Sequence, residues 1–522
     1  MLKKIALIAV VAGFLVAPMS MLRAQDAGAL LDLLVKKRLI NDQEAEEVRA
    51  ELTKQSSETS GGKWKLSTPI TEIELYGDIR LRYQYNGGQT TDNSPLGAHA
   101  NGTAGHNDWQ ERERERYRLR LGLRGTLSDD WFFGIRFETN ASARSTNVTF
   151  GDDTAGGNGP FAKNSDTVNV GQAYLGYKGF KDITLTGGKM PNPLVTTLMV
   201  WDPDFNPEGL AEQWKHTYNF EFGGGSTAAA ESYGKEGGKG FVAPAASEPF
   251  KLKLDLFVNF AQFVYDDSNP ENPLGPRATT TGQVGRVRGT QLIPNTDAFL
   301  LAWQAGARVT LPKYNLFLQI APTIYNYTGN GDTFNIHYQG GSPFVTNAAS
   351  LAQNQTGINS LLIFDMPWEI GWKIGELPVH AFGDFAVNLE GDERANAAAA
   401  TLPHGVIPSG HGDERYAYQA GLGVGQLKQK HDWQIDAWYQ HTEQYALDPN
   451  LVDDDIFDGR QNMHGVAIKA GYALSDAMIL SVTWNYAWRL NDNLGTGGTP
   501  IAIQINPLDQ YQWFVADLNI KF

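Results

Sequence analysis

From Ile73 to its last residue, Phe522, this chain returns again and again to an alternation of apolar and polar side chains with a period of two. That period places all the apolar residues of a strand on one face and all the polar ones on the other. In the first such segment Ile73, Leu75, Ile79, Leu81, Tyr83 and Tyr85 alternate with Glu72, Glu74, Asp78, Arg80, Arg82 and Gln84. Phe299, Leu301, Trp303, Ala305, Ala307 and Val309 do so against Gln304, Arg308 and Thr310. The chain ends the same way, with Phe514, Ala516, Leu518, Ile520 and Phe522 opposed to Asp517, Asn519 and Lys521. One strand of this kind suits any half-buried sheet. A long series of them, closing on an aromatic carboxyl terminus, suits a transmembrane antiparallel β-barrel, where one face meets lipid and the other meets water.

The connections support a barrel. Short turns fall near 128–130, 179–182, 311–313, 375–378, 427–432 and 474–477, and long polar segments near 86–110, 143–166, 190–213, 265–296, 328–357, 390–414, 446–462 and 491–509. Alternating short and long returns are the habit of barrels that turn tightly on the periplasmic side and loosely outside the cell. This predicts an all-β fold of about sixteen strands over 70–522. Residues 223–249, rich in Gly, Ala and Ser, fall where a short turn is due. They are either an insertion in that turn or the place of an overlooked strand pair, which would make eighteen. Trp131, Tyr314 and Trp433 just after short turns, and Tyr83, Tyr85 and Trp488 near the other ends, predict aromatic girdles at both interfaces.

The amino terminus reads differently. Lys3 and Lys4 followed by an apolar run to Met19 predict an export signal over 1–24, too short for a membrane helix. Residues 25–60 predict a periplasmic leader of two short helices, with Asp26 and Asn41 as caps and Glu44 completing a capping box, followed by a Ser/Gly-rich linker. The absence of cysteine removes disulfides, thiolate metal sites and a cysteine nucleophile. Without the signal the formal charge is −18, which argues against nucleic acid as a partner. The chain is 42% hydrophobic yet rich in glycine and aromatic residues, as suits strands of which only one face must be apolar.

Three stretches resemble the putative porin family of Gram-negative outer membranes. These are the leader from Ala29 to Glu46, the opening hairpin of Leu75 to Tyr83 with the arginine-rich Arg112 to Arg124, and Trp201 to Ala211 with its Pro-Glu-Gly-Leu-Ala ending. The resemblance spans essentially the whole mature chain. It implies residence in the outer membrane among lipid and lipopolysaccharide, presentation of Phe522 to the outer-membrane assembly machinery, and a general or weakly selective diffusion channel. It leaves a homotrimer open.

The strongest candidate site is a charged constriction. Arg80, Arg82, Arg118, Arg120 and Arg124 share the polar face of two neighbouring strands and would line one wall of the lumen. The proline-stiffened segment 190–213 carries Asp202, Asp204, Glu208 and Glu212, and folded inward would set carboxylates across the pore from that wall. The alternative is a solvated loop, with the arginines paired to Glu72, Glu74 or Glu138. Asp453, Asp454, Asp455 and Asp458 crowd another loop without the spacing of a calcium loop, and read as solvated or as bridging lipopolysaccharide through divalent ions. Neither they nor His404 and His411 with Asp413 and Glu414 make a recognised metal set, so no metal or cofactor is expected. His380, His431 and His441 lack a nucleophile elbow, so no enzymatic activity is expected. The function this predicts is passive diffusion of small hydrophilic solutes and ions. Two alternatives stay open: an anion- or phosphate-selective channel, and an adhesin or cell-wall-linked barrel.

Overall fold

The computed structural model describes residues 69–89, 109–128, 130–140, 145–151, 167–222, 249–266, 286–288, 291–293, 298–328, 360–401, 411–496 and 508–522. The expected signal over 1–24 and helical leader over 25–60 lie outside them. Between Pro69 and Phe522 the described residues form an antiparallel barrel. Its strands, in order, are Ile70–Gln89, Gln110–Leu127, Trp131–Asn140, Thr167–Tyr177, Ile183–Lys189, Glu208–Phe222, Phe250–Asp266 and Ala298–Leu311. The ninth is Leu316–Ile320 continued by Thr323–Thr328, and the tenth Leu362–Asp365 continued by Trp368–Ile374. Then come Leu377–Asn388, Tyr416–Gly425, Trp433–Thr442, Met463–Ser475, Met478–Arg489 and Gln510–Lys521. The last strand pairs with the first from Asp78↔Lys521 to Gln89↔Gln510, and Gly77 and Phe522 exchange both backbone hydrogen bonds. Closure leaves no edge, so the backbone polar groups that would face lipid are spent within the ladder.

The count is sixteen among the described residues. The sixth and seventh strands pair down to Phe222↔Phe250, so 223–249 is an insertion in one turn of a continuous hairpin. The two broken strands interrupt side by side at Pro322 and Pro367, where Ala305 N–H donates to the Pro322 carbonyl and Ala321 N–H to that of Pro367. Proline has no N–H for the ladder, so each strand bulges there. The polar segment 390–414 contains a helix, Gly391–Thr401, which starts with Asp392 and Glu393 in its first turn and runs into consecutive alanines. Acidic residues at the amino end and alanine beyond it suit a helix.

The two faces separate as the alternation predicts. Leu75, Leu119, Ile135, Phe137, Leu422, Ile468 and Leu480 are exposed on the outside, whereas Arg82, Arg118, Gln304, Asp384, Asn485 and Asp517 are buried within. Trp131, Tyr314 and Trp433 are exposed beside short turns, and Trp488 lies near the opposite rim. Tyr218, Phe220, Phe222, Phe250 and Tyr314 form a run of rings with successive centroids 6.2–6.4 Å apart.

Gly188 and Gly209 face each other across the fifth and sixth strands with φ of 118° and 152°. A Cβ on Gly188 would come within 2.3 Å of the Ala173 carbonyl oxygen, and one on Gly209 within 2.1 Å of that of Gln262. Glycine is required there because other residues seldom adopt such angles and have no room. This pair stands at the two feet of the connection 190–207. Gly188→Val is therefore expected to cost about 1–3 kcal/mol of strain, read as a lowered urea midpoint of the folded barrel.

Candidate functional site

Every inward position from 112 to 120 on the second strand is arginine, because Glu111, Glu113, Glu115, Tyr117 and Leu119 take the outward ones. In register with it, Arg80 lies opposite Arg118 and Arg82 opposite Arg116. So many like charges side by side need carboxylates, and the fold brings these from distant parts of the chain. Arg82 makes two forks, to Asp517 at 2.8 and 2.9 Å and to Asp455 at 3.0 Å on both oxygens. Arg118 donates to Asp78 at 2.7 Å, and Arg120 to Asp204 at 2.6 Å with Glu138 at 3.4 Å. Arg80 donates to Asn519 at 2.8 Å. Arg116 bonds neutral groups among the described residues: Gln84, Ser145 and the Asn147 carbonyl.

Asp204 arrives on the connection 190–207, which folds into the lumen. Its Leu194, Met199, Val200 and Trp201 are too apolar to stay in water, and they pack against Phe263, Leu300, Tyr325 and Ile363 on the far inner wall. Val195 exchanges two 2.9 Å hydrogen bonds with the Gln304 side chain, and the Thr197 hydroxyl bonds Asp384. Burial works against ionisation of Asp204, but Arg120, then Arg118 and Arg80, more than offset it and hold its carboxyl well below the usual range.

A second connection, 443–462, also turns inward. Val452, Ile456 and Phe457 are buried, and Asp455 reaches Arg82. The aspartates of this segment are therefore not a solvated cluster: Asp453 and Asp458 are buried too. The four apolar residues Leu451, Val452, Ile456 and Phe457 among them were the signal for an inward fold. Backbone bonds stitch the two connections together, Asp202 N–H to the Leu451 carbonyl at 2.6 Å and Asp453 N–H to that of Leu198 at 3.2 Å. Against the 190–207 connection lies a cavity of about 630 Å³, whose walls include Arg136, Gln172, His380, Asp436, Trp438 and Lys469.

The expected site residues thus divide. Arg80, Arg82, Arg118, Arg120 and Asp204 come together, but with Asp204 in direct contact with the wall instead of across a gap from it. Arg124 pairs with Glu74 at 2.6 Å apart from this group, both largely exposed. Asp202 meets Asp453 and Asp454 instead of arginine. Glu208 and Glu212 leave the loop altogether: the sixth strand already begins at Glu208, which pairs with Lys189 at 2.8 Å. Glu212 shares the outward face of Leu210 and accepts from Gln262 at 3.0 Å. Arg112, Arg114 and Arg116 are additions to the wall, and the period that places Arg118 inward also places them there.

Asp204→Ala would leave Arg120 and Arg118 without the loop carboxylate. Breaking such a largely buried pair costs about 3 kcal/mol. The expected result is faster amide exchange across 190–207 with little change in the strands.

A family model described as putative porin matches residues 35–376 and 374–522. Among solved structures, the outer membrane channel DcaP of Acinetobacter baumannii aligns at 12% identity over 88% of this chain and 99% of that one, with a TM-score of 0.35. A mutant of the Rh. blastica porin aligns at 10% over 86% and 100%, with 0.35. The anion-selective porin from Comamonas acidovorans aligns at 8% over 86% and 99%, with 0.37. No curated protein matches.

Proposed function

The chain belongs to the putative porin family, and from that premise we propose how its barrel governs passage across the outer membrane. It is a passive channel, rather than an enzyme, for small hydrophilic solutes and ions. Passage is limited by the inward 190–207 connection and its charge set by the arginine wall of Arg80, Arg82, Arg114, Arg116, Arg118 and Arg120. The observation that carries this reading is the Asp204–Arg120 contact at 2.6 Å, which fixes the loop after the fifth strand against the second strand and so narrows the lumen. Pore width sets the size limit and the lining charge sets the preference.

Anion preference is favoured by the wall itself, since Arg116 bonds neutral groups among the described residues and leaves positive charge uncompensated. A homotrimer suits the outer face of the sixth and seventh strands. There Glu212 and Gln262 form a polar pair beside Leu210 and Phe260, which hydrocarbon would solvate poorly. Phe522, bonded through its backbone to Gly77, is the residue offered to the assembly machinery in this reading.

Liposomes carrying the folded barrel test the proposal by swelling. Swelling in small sugars that fades as sugar size grows is expected, and liposomes that do not swell in any of them would contradict it.

A further inference from the structure

Where the two inward connections meet, three carboxylates converge. Asp202, Asp453 and Asp454 each offer an oxygen, and these oxygens all lie within 4.8 Å of one another. The first two residues are 3% and 7% exposed. Asp202 Oδ1 accepts from the Asp204 amide at 2.7 Å, while its Oδ2 is enclosed without a hydrogen-bond partner. A buried carboxylate oxygen left without a donor is costly, and more so beside other carboxylates. Burial, then Asp453, Asp454 and Asp204, push the Asp202 carboxyl up. Of the nearby arginines, Arg82 is engaged by Asp517 and Asp455, and Arg118 and Arg120 by Asp78, Asp204 and Glu138, whereas the charges of Arg114 and Arg116 act on Asp454. Yet the backbone bonds from Asp202 to Leu451 and from Asp453 to Leu198 hold the carboxylates together.

We propose that Asp202, Asp453 and Asp454 bind a divalent cation of the calcium type, which ties the 190–207 connection to the 443–462 connection. The donors are oxygens alone, which suits a hard cation. Calcium–oxygen distances of about 2.3–2.6 Å put two ligands on opposite sides of one ion about 5 Å apart. The observed spacing, with every oxygen within 4.8 Å of the others, is within that reach. Water completes the coordination from the lumen. The ion converts mutual repulsion into a cross-link, so the loop that narrows the channel is stiffened by the divalent cations of the medium. This site lies inside the barrel, out of reach of lipopolysaccharide.

The test uses the full-length folded protein in detergent, freed of lipopolysaccharide and washed with chelator. Terbium serves as a luminescent stand-in for calcium, and Trp201, next to Asp202 in the chain, is a ready sensitiser. Saturable terbium luminescence displaced by calcium is expected, together with a calcium-dependent rise in melting temperature. In D202N and D453N, affinity should fall by about tenfold or more, as the loss of a charged ligand does in calcium sites. The melting temperatures also separate the alternatives. If no ion binds, neutralising Asp453 only relieves repulsion, so D453N would be as stable as wild type or more so, and calcium would shift neither protein. That result, or luminescence equal in wild type and variants, would overturn the proposal. If a variant does not fold, the wild type decides alone: a melting temperature unmoved by calcium rejects the site.

Discussion

Replacing residues 194–205 with a short glycine–serine link is expected to raise single-channel conductance several-fold. The link can be short because Met190 N–H donates to the Pro207 carbonyl at 2.9 Å, so the two ends of the connection are already neighbours. The replacement removes Trp201, Val200, Met199 and Leu194 from the lumen, and with them Asp204. The barrel should survive. Its strands are held by a closed ladder that runs from Asp78↔Lys521 round to the first hairpin and does not involve this loop. Loss of the loop also exposes Phe263, Leu300 and Tyr325 to lumen water, so the variant should melt earlier than wild type. Conductance unchanged by the replacement would mean that passage is limited elsewhere.

Neutralising Arg80, Arg118 and Arg120 together should turn the channel from anion preference toward cations. At about 8 Å and an effective dielectric of about 40, one unit charge is worth roughly 1 kcal/mol to a passing ion. Removing three therefore changes the anion-to-cation permeability ratio by at least about tenfold. Asp78 and Asp204 would lose their arginine partners and add to the shift. Reversal potentials under a salt gradient measure it. Arg124→Gln is the control. Arg124 is exposed and pairs with Glu74 away from the loop, so it should alter the ratio little.

Much of the barrel is legible in the sequence because a strand's alternation is local. Ile73 to Tyr85 and Phe514 to Phe522 declare their faces without reference to any partner, and closure of the first strand on the last follows from counting. The turn inserted at 223–249 was ambiguous for the same reason: composition marks a loop but not whether its flanks pair with each other. Phe222↔Phe250 supplies that. The site was harder to read. Arg82 finds Asp517 and Asp455 at 435 and 373 residues' separation, and Arg120 finds Asp204 at 84. Such contacts depend on how loops enter a lumen, which no period encodes. Glu208 and Glu212 were assigned to the loop because a strand that opens Glu-Gly-Leu-Ala-Glu shows too few apolar residues to announce itself. The inward fold of 443–462 left a fainter trace, Val452, Ile456 and Phe457 set among aspartates that by themselves suggest water.

Single-channel recording of the wild-type barrel in a planar bilayer tests the central claim most directly. A lumen narrowed by inward loops and lined by arginine predicts discrete, ohmic steps of uniform size at neutral pH, with a reversal potential displaced toward anions. A folded, inserted barrel that passed no current would contradict it.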